Sequence, residues 1–281
     1  MIRGSLRPYY LMGTLIAAFL AVTASAGLLL DSLYAPFFAE ALLPGLPVQD
    51  GMSLIAAPLL LAAMYYTGRD SARAFVVWVG VLVYVAYYYS FYVFGFAYTA
   101  IYPLYLALVG LATYSLIGLL TGADIEAFAC QVGERMPVRF IGVVLGMALL
   151  FVPIWLMMIV QAINRQQAVG ADLVFVFDLC FLIPAMTYAA VQVWRRRPLG
   201  YLLGGILLFK AVASGILLTL GTFRQMQLGY AIAFEQLAMY IFLAVAGSLA
   251  LLFYMRNLSG QSGQKSCPHA HQSLRQQGCF E

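Results

Sequence analysis

Charged residues are scarce in this chain: only 9% of its 281 residues are Asp, Glu, Lys or Arg, whereas 64% are hydrophobic. A soluble domain carries about 25% charged residues. So low a charge content excludes an ordinary soluble fold and predicts an integral membrane protein whose first partner is the lipid bilayer. The net charge is +4, and the basic residues are spread along the chain in short clusters, which gives no indication of nucleic-acid binding.

Histidine is absent from every long apolar stretch, since both copies, His269 and His271, lie near the C-terminus. This excludes haem held by paired intramembrane histidines and an HExxH metalloprotease. The chain also lacks a Walker loop and a GxSxG elbow, so no enzyme class is indicated and no cofactor is expected. Cys267 and Cys279 flank the histidines, and the four side chains form a candidate zinc-type ligand set whose spacing matches no standard finger.

Strict alternation of apolar and polar residues is also missing, which favours helices over strands. Continuous apolar runs of about 20 residues match the thickness of a bilayer core. The sequence therefore predicts an all-α polytopic membrane protein with eight transmembrane helices. These run approximately over 9–30, 51–67, 73–95, 99–121, 138–163, 171–194, 198–221 and 229–255.

The basic residues predict the orientation of the spans. With the N-terminus in the cytoplasm, twelve of the fifteen Lys and Arg residues lie on the cytoplasmic side, and only Arg165 and Arg224 lie outside. Because cytoplasmic loops carry the excess of Lys and Arg, both termini are expected in the cytoplasm. The expected location is the cell inner membrane.

An alternative concerns the first span. A basic start, an apolar stretch and the small residues Ala24-Ser25-Ala26 resemble a signal peptide with its cleavage site. Cleavage would leave seven spans with the remaining loops on the same sides. The apolar run continues through Gly27 to Leu30, which favours an uncleaved span.

The second and sixth spans share a layout: an aspartate near the outer end, a mid-span proline and, eleven positions after the proline, an arginine. The residues are Asp50, Pro58 and Arg69 in the second span and Asp178, Pro184 and Arg195 in the sixth. This predicts a parallel 4+4 repeat with a period of about 126 residues, related by an axis along the membrane normal. The alternative is chance similarity between apolar helices. The predicted parts are a first membrane half (1–122), a cytoplasmic loop (123–137), a second membrane half (138–255) and a disordered cytoplasmic tail (256–281).

Three ionisable residues, Asp178, Lys210 and Glu235, lie within predicted spans. Charges at such depth are costly and usually face a protein interior or a wet cavity. At about 1.5 Å per residue, all three are expected to meet in the outer half of the bilayer. Two carboxylates and one ammonium can titrate as a coupled group near neutral pH, which indicates a transport or proton-linked site. The alternatives are a fixed ion pair that pins three helices, or a lysine that snorkels to the interface.

Prolines and tyrosines complete the candidate site. Pro58, Pro153 and Pro184 are expected to kink their helices beside a cavity. Tyr84 and Tyr88 are four residues apart and share a helix face. Together with Asp50 and the three buried charges, they form the candidate substrate- or ion-binding set. The tyrosines fit either an interfacial belt with ordinary packing or an aromatic pocket for a quinone, a lipid or an aromatic solute.

Three stretches resemble a family of uncharacterised bacterial multi-span inner-membrane proteins. They are QDGMSLIAAPLLL (49–61), FYVFG (91–95), and DLCFLIPAMTY followed by WRRRPLGYLLGGILL (178–208). The resemblance covers most of residues 31–220 and implies the fold and the membrane location. It implies no activity and no catalytic residues.

The leading hypothesis is a proton-linked carrier of an unknown small solute or ion. The rival is a non-transporting lipid- or quinone-binding membrane sensor or accessory subunit, which would form an oligomer or bind a partner subunit through 123–139. A membrane enzyme is the least supported, because no nucleophile with a matching base is visible.

Overall fold

The computed structural model describes residues 5–30, 32–166 and 172–258. Within these ranges the elements are helices and turns, and eight helical segments are long and apolar enough to cross a membrane. A bilayer demands such segments because backbone polar groups find no water in its core. The predicted all-α polytopic fold with eight spans is therefore confirmed.

The first half contains α1 (Arg7–Leu29), α2 (Leu46–Thr67), α3 (Ala72–Phe94) and α4 (Tyr102–Gly122), with a 3₁₀ turn (Glu40–Gly45) leading into α2. A short helix, α5 (Ile125–Ala129), follows in the connecting segment. The fifth span is α6 (Val138–Gly146), a 3₁₀ turn (Met147–Leu150) and α7 (Phe151–Arg165). The sixth is α8 (Asp172–Phe177), a π turn (Asp178–Leu182) and α9 (Ile183–Trp194), followed by α10 (Pro198–Gln227) and α11 (Phe234–Asn257).

Three span boundaries differ from the sequence prediction by five residues or more. The second span begins at Glu40, eleven residues earlier. Pro47 lies in the first turn of α2, where its missing backbone N–H leaves no hydrogen bond unmade, so α2 can begin at Leu46. The seventh span continues to Gln227 instead of ending at 221. The eighth begins at Phe234 instead of 229, which changes the depth of the residues that follow.

The helices of the two halves contact their neighbours in the same cyclic order. In the first half α1 packs on α2, α2 on α3, α3 on α4, and α4 returns to α1. In the second half α6 packs on α9, α9 on α10, α10 on α11, and α11 returns to α6. The halves meet where α3 contacts α10, and α3 is the most deeply buried span, with 72% of its apolar window inside the protein.

Helices α3 and α10 are in close contact at two positions along their length. Gly80 faces the ring of Phe209, and a Cβ at this glycine would lie 2.7 Å from two ring carbons. One and two turns further along α3, Tyr84 and Tyr88 follow, and the Tyr88 hydroxyl donates to Ser214 Oγ at 2.9 Å. Tyr88 and Ser214 are 126 residues apart, which equals the period of the predicted repeat.

The end of α11 is attached to the start of α3 and to the segment after α5. The Arg73 guanidinium donates to the Leu258 carbonyl at 2.6 and 3.0 Å, and the Gly133 N–H donates to the Asn257 carbonyl at 2.8 Å. Leu258 is buried. Residues 256–258 of the predicted tail therefore pack against the helices, and the rest of that tail lies outside the described residues.

Candidate functional site

A cavity of about 190 Å³ lies between α3 of the first half and the helices of the second half. Its wall is mostly apolar and carries a small number of polar side chains, as in typical small-molecule sites. The aromatic lining residues are Tyr87, Tyr88, Phe91, Phe151, Trp155 and Tyr240, and the polar ones are Asp178, Lys210 and Ser214.

Asp178 reaches the cavity from the π turn that interrupts the sixth span. Pro184 has no backbone N–H, and its ring is crowded by the carbonyl four residues earlier in a regular α-helix, so a proline at this position favours a kink or a break. The chain widens instead, and the Ile183 N–H bonds to the carbonyl of Asp178, five residues back. Single π turns of this kind are frequent at functional sites.

The Asp178 carboxylate is held by two donors from other helices. The Tyr87 hydroxyl of α3 donates to Oδ1, and the Trp155 indole N–H of α7 donates to Oδ2 at 3.1 Å. Each oxygen therefore has one hydrogen bond, which offsets part of the cost of removing the charge from water. The carboxylate joins both halves of the protein, because Tyr87 belongs to the first half and Trp155 to the second.

Lys210 lies near the middle of α10 and is 2% exposed. Its ammonium nitrogen is 3.5 Å from the centre of the Tyr87 ring and 5.6 Å from that of Tyr88. Such contacts are cation–π interactions. Within the described part of the chain, no carboxylate oxygen lies within 4 Å of this nitrogen. Tyr87 thus separates the two charges, with its face to Lys210 and its hydroxyl to Asp178.

The two predicted tyrosines point to different places. Tyr88 lines the cavity and bonds Ser214. Tyr84 lies one turn away, and its hydroxyl is 3.1 Å from Ser53 Oγ and donates to the Gln49 carbonyl at 3.3 Å, both in α2. The side chain of Tyr84 therefore belongs to the interior of the first half.

Glu235 is not brought to the cavity. It is exposed in the first turn of α11, because that helix begins at Phe234 and not several residues earlier. A carboxylate at the start of a helix is favoured by the helix dipole and lies near the aqueous interface. Of the three charges that were expected to lie together, Lys210 and Asp178 line one cavity and Glu235 does not.

Asp50 is a buried carboxylate that lies apart from the cavity. It is 2% exposed, and the Tyr34 hydroxyl donates to its oxygens at 3.0 and 3.2 Å. A Cβ on Gly27 of α1 would lie 2.0 Å from Asp50 Oδ2, so glycine provides the space for the carboxylate. Burial, and then the Asp50 charge, raises the pKa of Tyr34, which keeps this hydroxyl protonated as a donor.

Two of the three predicted kinks coincide with breaks in α geometry. The 3₁₀ turn at 147–150 precedes Pro153, and the π turn at 178–182 precedes Pro184. Both breaks border the cavity, since Ala148 and Leu182 line it. Pro58 lies inside α2, which continues as an α-helix from Leu46 to Thr67.

The candidate zinc ligands Cys267, His269, His271 and Cys279 lie outside the described residues. Among the residues that are described, no group of three His, Cys, Asp or Glu side chains could hold a metal ion. The cavity contributes one carboxylate, and that carboxylate already accepts hydrogen bonds from Tyr87 and Trp155.

Tyr87 and Trp155 were missed by the sequence reasoning, although they organise the site. Tyr87 is one of several tyrosines in YVAYYYSFY, and nothing in a run of aromatics distinguishes the one that faces a lysine. Trp155 follows Pro153 closely, and this proximity to a helix break was the available signal.

Comparison of the chain with protein-family models, curated proteins and solved structures finds no match. No activity is therefore transferred from a relative. The chemistry of the cavity and the membrane fold are the grounds for a functional proposal.

Proposed function

We propose that this protein is a carrier of a small solute in the bacterial inner membrane and that the cavity beside Lys210 is its binding site. The observation that supports the proposal is the Lys210 ammonium, which lines a cavity inside a membrane helix bundle without an acidic partner within 4 Å among the described residues. Intramembrane charges are expensive, and they commonly mark substrate or ion pathways.

The two charges of the site are compensated unequally. Asp178 accepts hydrogen bonds from Tyr87 and Trp155, whereas Lys210 faces the Tyr87 ring. A cation–π contact stabilises a desolvated cation by about 2 kcal/mol, which is well below the cost of burying an ammonium. A purely structural lysine would be expected to have a carboxylate partner, so the unequal compensation favours a binding role.

The position of the cavity also supports a carrier. Helices from both halves line it, and transporters commonly bind substrate between two units that rock against each other. The interrupted fifth and sixth spans border the cavity, and broken helices at binding sites are frequent in transporters. We propose that Pro153 and Pro184 permit the bending that opens the site to each side in turn.

Proton linkage is part of the proposal. A buried ionisable group in an apolar site can become neutral by gaining or losing a proton, and a bound solute changes the balance between these states. Asp178 and Lys210 are connected through Tyr87, so a charge change at one alters the field at the other. We expect solute movement to be accompanied by proton movement.

The experiment uses proteoliposomes that contain a pH-sensitive dye. Inward gradients of glycine, lactate, choline and glycerol represent zwitterionic, anionic, cationic and neutral solutes, and light scattering reports solute entry while the dye reports protons. The wild-type protein is expected to accelerate at least one solute. Lys210→Met should reduce that flux by roughly tenfold or more.

The matched control is Arg224→Gln, which removes an exposed cation from the same helix. Its flux should equal that of the wild type. The carrier proposal fails if no solute enters faster than in protein-free vesicles, or if Lys210→Met transports as fast as Arg224→Gln.

A second candidate function, lipid binding by a non-transporting sensor or accessory subunit, is favoured by a separate groove. This groove of about 620 Å³ lies between the fifth and sixth spans and is mostly apolar, with Arg195 at one end. Thr187 Oγ1 and Gln192 Oε1, from two of its lining residues, have no hydrogen-bond partner among the described residues. A phospholipid acyl chain would fill the groove and its phosphate would pair with Arg195.

Native mass spectrometry after gentle detergent extraction tests this second candidate. Wild-type protein should retain phospholipid, and Arg195→Gln should retain less, whereas Arg256→Gln removes an exposed arginine elsewhere and serves as the control. Equal lipid retention in all three proteins would exclude a specific lipid site at the groove.

A further inference from the structure

We propose that the cavity beside Lys210 selects a small organic anion, whose carboxylate binds the ammonium and whose apolar body lies against the aromatic wall. This assignment of a substrate class rests on the proposed carrier function. It is drawn from the hydrogen-bond donors that the protein leaves unused, the chemistry of the wall and the size of the space.

The first unused donor group is the Lys210 ammonium. An ammonium has three N–H donors and no acceptor. The nearest partner is the face of Tyr87, and in the described chain no acid and no hydrogen-bond acceptor is found for the nitrogen. The side chain is 2% exposed, so its contact with bulk water is small. An anionic group of a ligand would supply both charge and acceptors.

The second donor is the hydroxyl of Ser214. Ser214 lies one helical turn after Lys210 on α10, and residues four apart share a helix face. Its oxygen accepts the hydrogen bond from Tyr88, which leaves its own proton to be donated. Both side chains line the cavity, so one carboxylate could accept from the ammonium and the hydroxyl together.

Asp178 is a poorer site for a ligand cation. Each of its oxygens already accepts a hydrogen bond, from Tyr87 and from Trp155. A cationic ligand would also be repelled by Lys210, which lines the same cavity. The ammonium, which has no hydrogen bond in the described chain, therefore favours an anionic ligand over a cationic one.

The wall indicates the body of the ligand. Phe151 and Trp155 stack with ring centres 5.8 Å apart and planes 25° apart, and Phe91 lines the opposite helix, α3. Flat aromatic surfaces of this kind bind a planar or branched apolar group. A volume of about 190 Å³ is below the range typical of sites for drug-sized ligands, which favours one small acid.

The test is a charge series on one skeleton: benzoate, benzamide and benzylamine, each titrated into the detergent-solubilised full-length protein. Binding is measured as the shift in melting temperature and as quenching of tryptophan fluorescence, to which Trp155 contributes. Benzoate should bind wild-type protein and Arg224→Gln equally. Its Kd should rise by roughly tenfold or more in Lys210→Met and by about three- to tenfold in Ser214→Ala. Benzamide and benzylamine should bind the wild type at least about tenfold more weakly than benzoate.

Benzylamine or benzamide binding as tightly as benzoate would overturn the anion assignment, as would unchanged benzoate binding in Lys210→Met. If Lys210→Met does not fold, the charge series on wild-type protein and the Ser214→Ala variant decide the matter. The two proposals fail separately. Lys210-dependent flux of choline would support the carrier proposal and contradict the preference for an anion. Benzoate binding without flux of any solute would support the anion site and contradict the carrier proposal.

Discussion

At the scale of single residues, Tyr87 has two roles that involve opposite charges. Its ring lies against the Lys210 ammonium, and its hydroxyl donates to Asp178. A tyrosine ring is negative on its face, whereas its hydroxyl hydrogen is positive, so one side chain stabilises a cation and an anion at once. The two charges can thus line one cavity without forming an ion pair with each other.

Substitutions at Tyr87 separate these roles. Tyr87→Phe removes the hydrogen bond to Asp178 and should lower the free energy of unfolding by about 1–3 kcal/mol, because a partly buried carboxylate loses a donor. Tyr87→Leu also removes the ring and should cost about 0.5–2 kcal/mol more. Unfolding in mixed micelles measures both values. Tyr114 is 68% exposed, and Tyr114→Phe should change stability by less than about 0.5 kcal/mol. Equal losses in Tyr87→Phe and Tyr114→Phe would contradict the assigned hydrogen bond.

The carboxylate of Asp50 makes a second prediction at this scale. Gly27→Ala would place a methyl group 2.0 Å from Oδ2 and 2.3 Å from the Tyr34 hydroxyl. Separating these groups should destabilise the protein by about 1–3 kcal/mol. Gly51→Ala, adjacent to Asp50 and with no atom within 4 Å of the added carbon, is the control. Equal melting temperatures of Gly27→Ala and Gly51→Ala would contradict the close packing of α1 on α2.

At the scale of elements, glycine determines how closely α10 and α11 approach. A Cβ at Gly215 would lie 2.8 Å from the Cα of Ala244, and backbone cannot yield as a side-chain tip can. Close helix contacts in membranes commonly use small residues in this way, because lipid provides no hydrophobic force between helices. The same contact is next to the cavity, since Gly215 lines it.

Gly215→Ala is therefore expected to destabilise the protein by about 1–3 kcal/mol through overpacking. Gly110→Ala in α4 adds the same methyl group where no atom lies within 4 Å, and it should be neutral or stabilising by up to about 1 kcal/mol. Thermal unfolding in detergent compares the two variants. A loss of stability in Gly110→Ala that equals the loss in Gly215→Ala would refute the packing argument.

The elements were predictable from sequence to different degrees. The eight spans followed from apolar runs, because bilayer thickness fixes their length. The segment 40–50 resembles a loop because it contains Pro44, Gly45 and Pro47, yet it is helical in the structure. Lys210 and Asp178 were recognisable as charges within apolar runs. Tyr87 and Trp155 were not, because the rotation and tilt that bring them together arise between helices that are apolar on nearly all sides.

At the scale of the whole molecule, the two halves share their neighbour order and meet through α3 and α10. We interpret this as support for the predicted parallel duplication. The Tyr88–Ser214 hydrogen bond joins positions one period apart, as expected for contacts on a two-fold axis. In the predicted repeat, Tyr84 lies one period before Lys210, so the first half has no equivalent ammonium.

Orientation remains a prediction at this scale, and it can be measured by cysteine labelling. In a background without the four native cysteines, Gln227→Cys should react with a membrane-impermeant maleimide in intact spheroplasts. Glu134→Cys should react only after permeabilisation, because twelve of the fifteen basic residues are predicted on its side of the membrane. Both positions are exposed, so accessibility within the protein does not limit the reaction. The reversed labelling pattern would invert the topology.

The attachment of Leu258 to Arg73 has a consequence for biogenesis. A chain leaves the ribosome from its N-terminus, and its early parts begin to fold before the later ones exist. Arg73 would enter the membrane near the beginning of translation, whereas its acceptor emerges after the eighth helix. The Arg73 guanidinium therefore has no Leu258 carbonyl to bind while the first seven helices are being made. This contact can form only after the eighth helix has been synthesised.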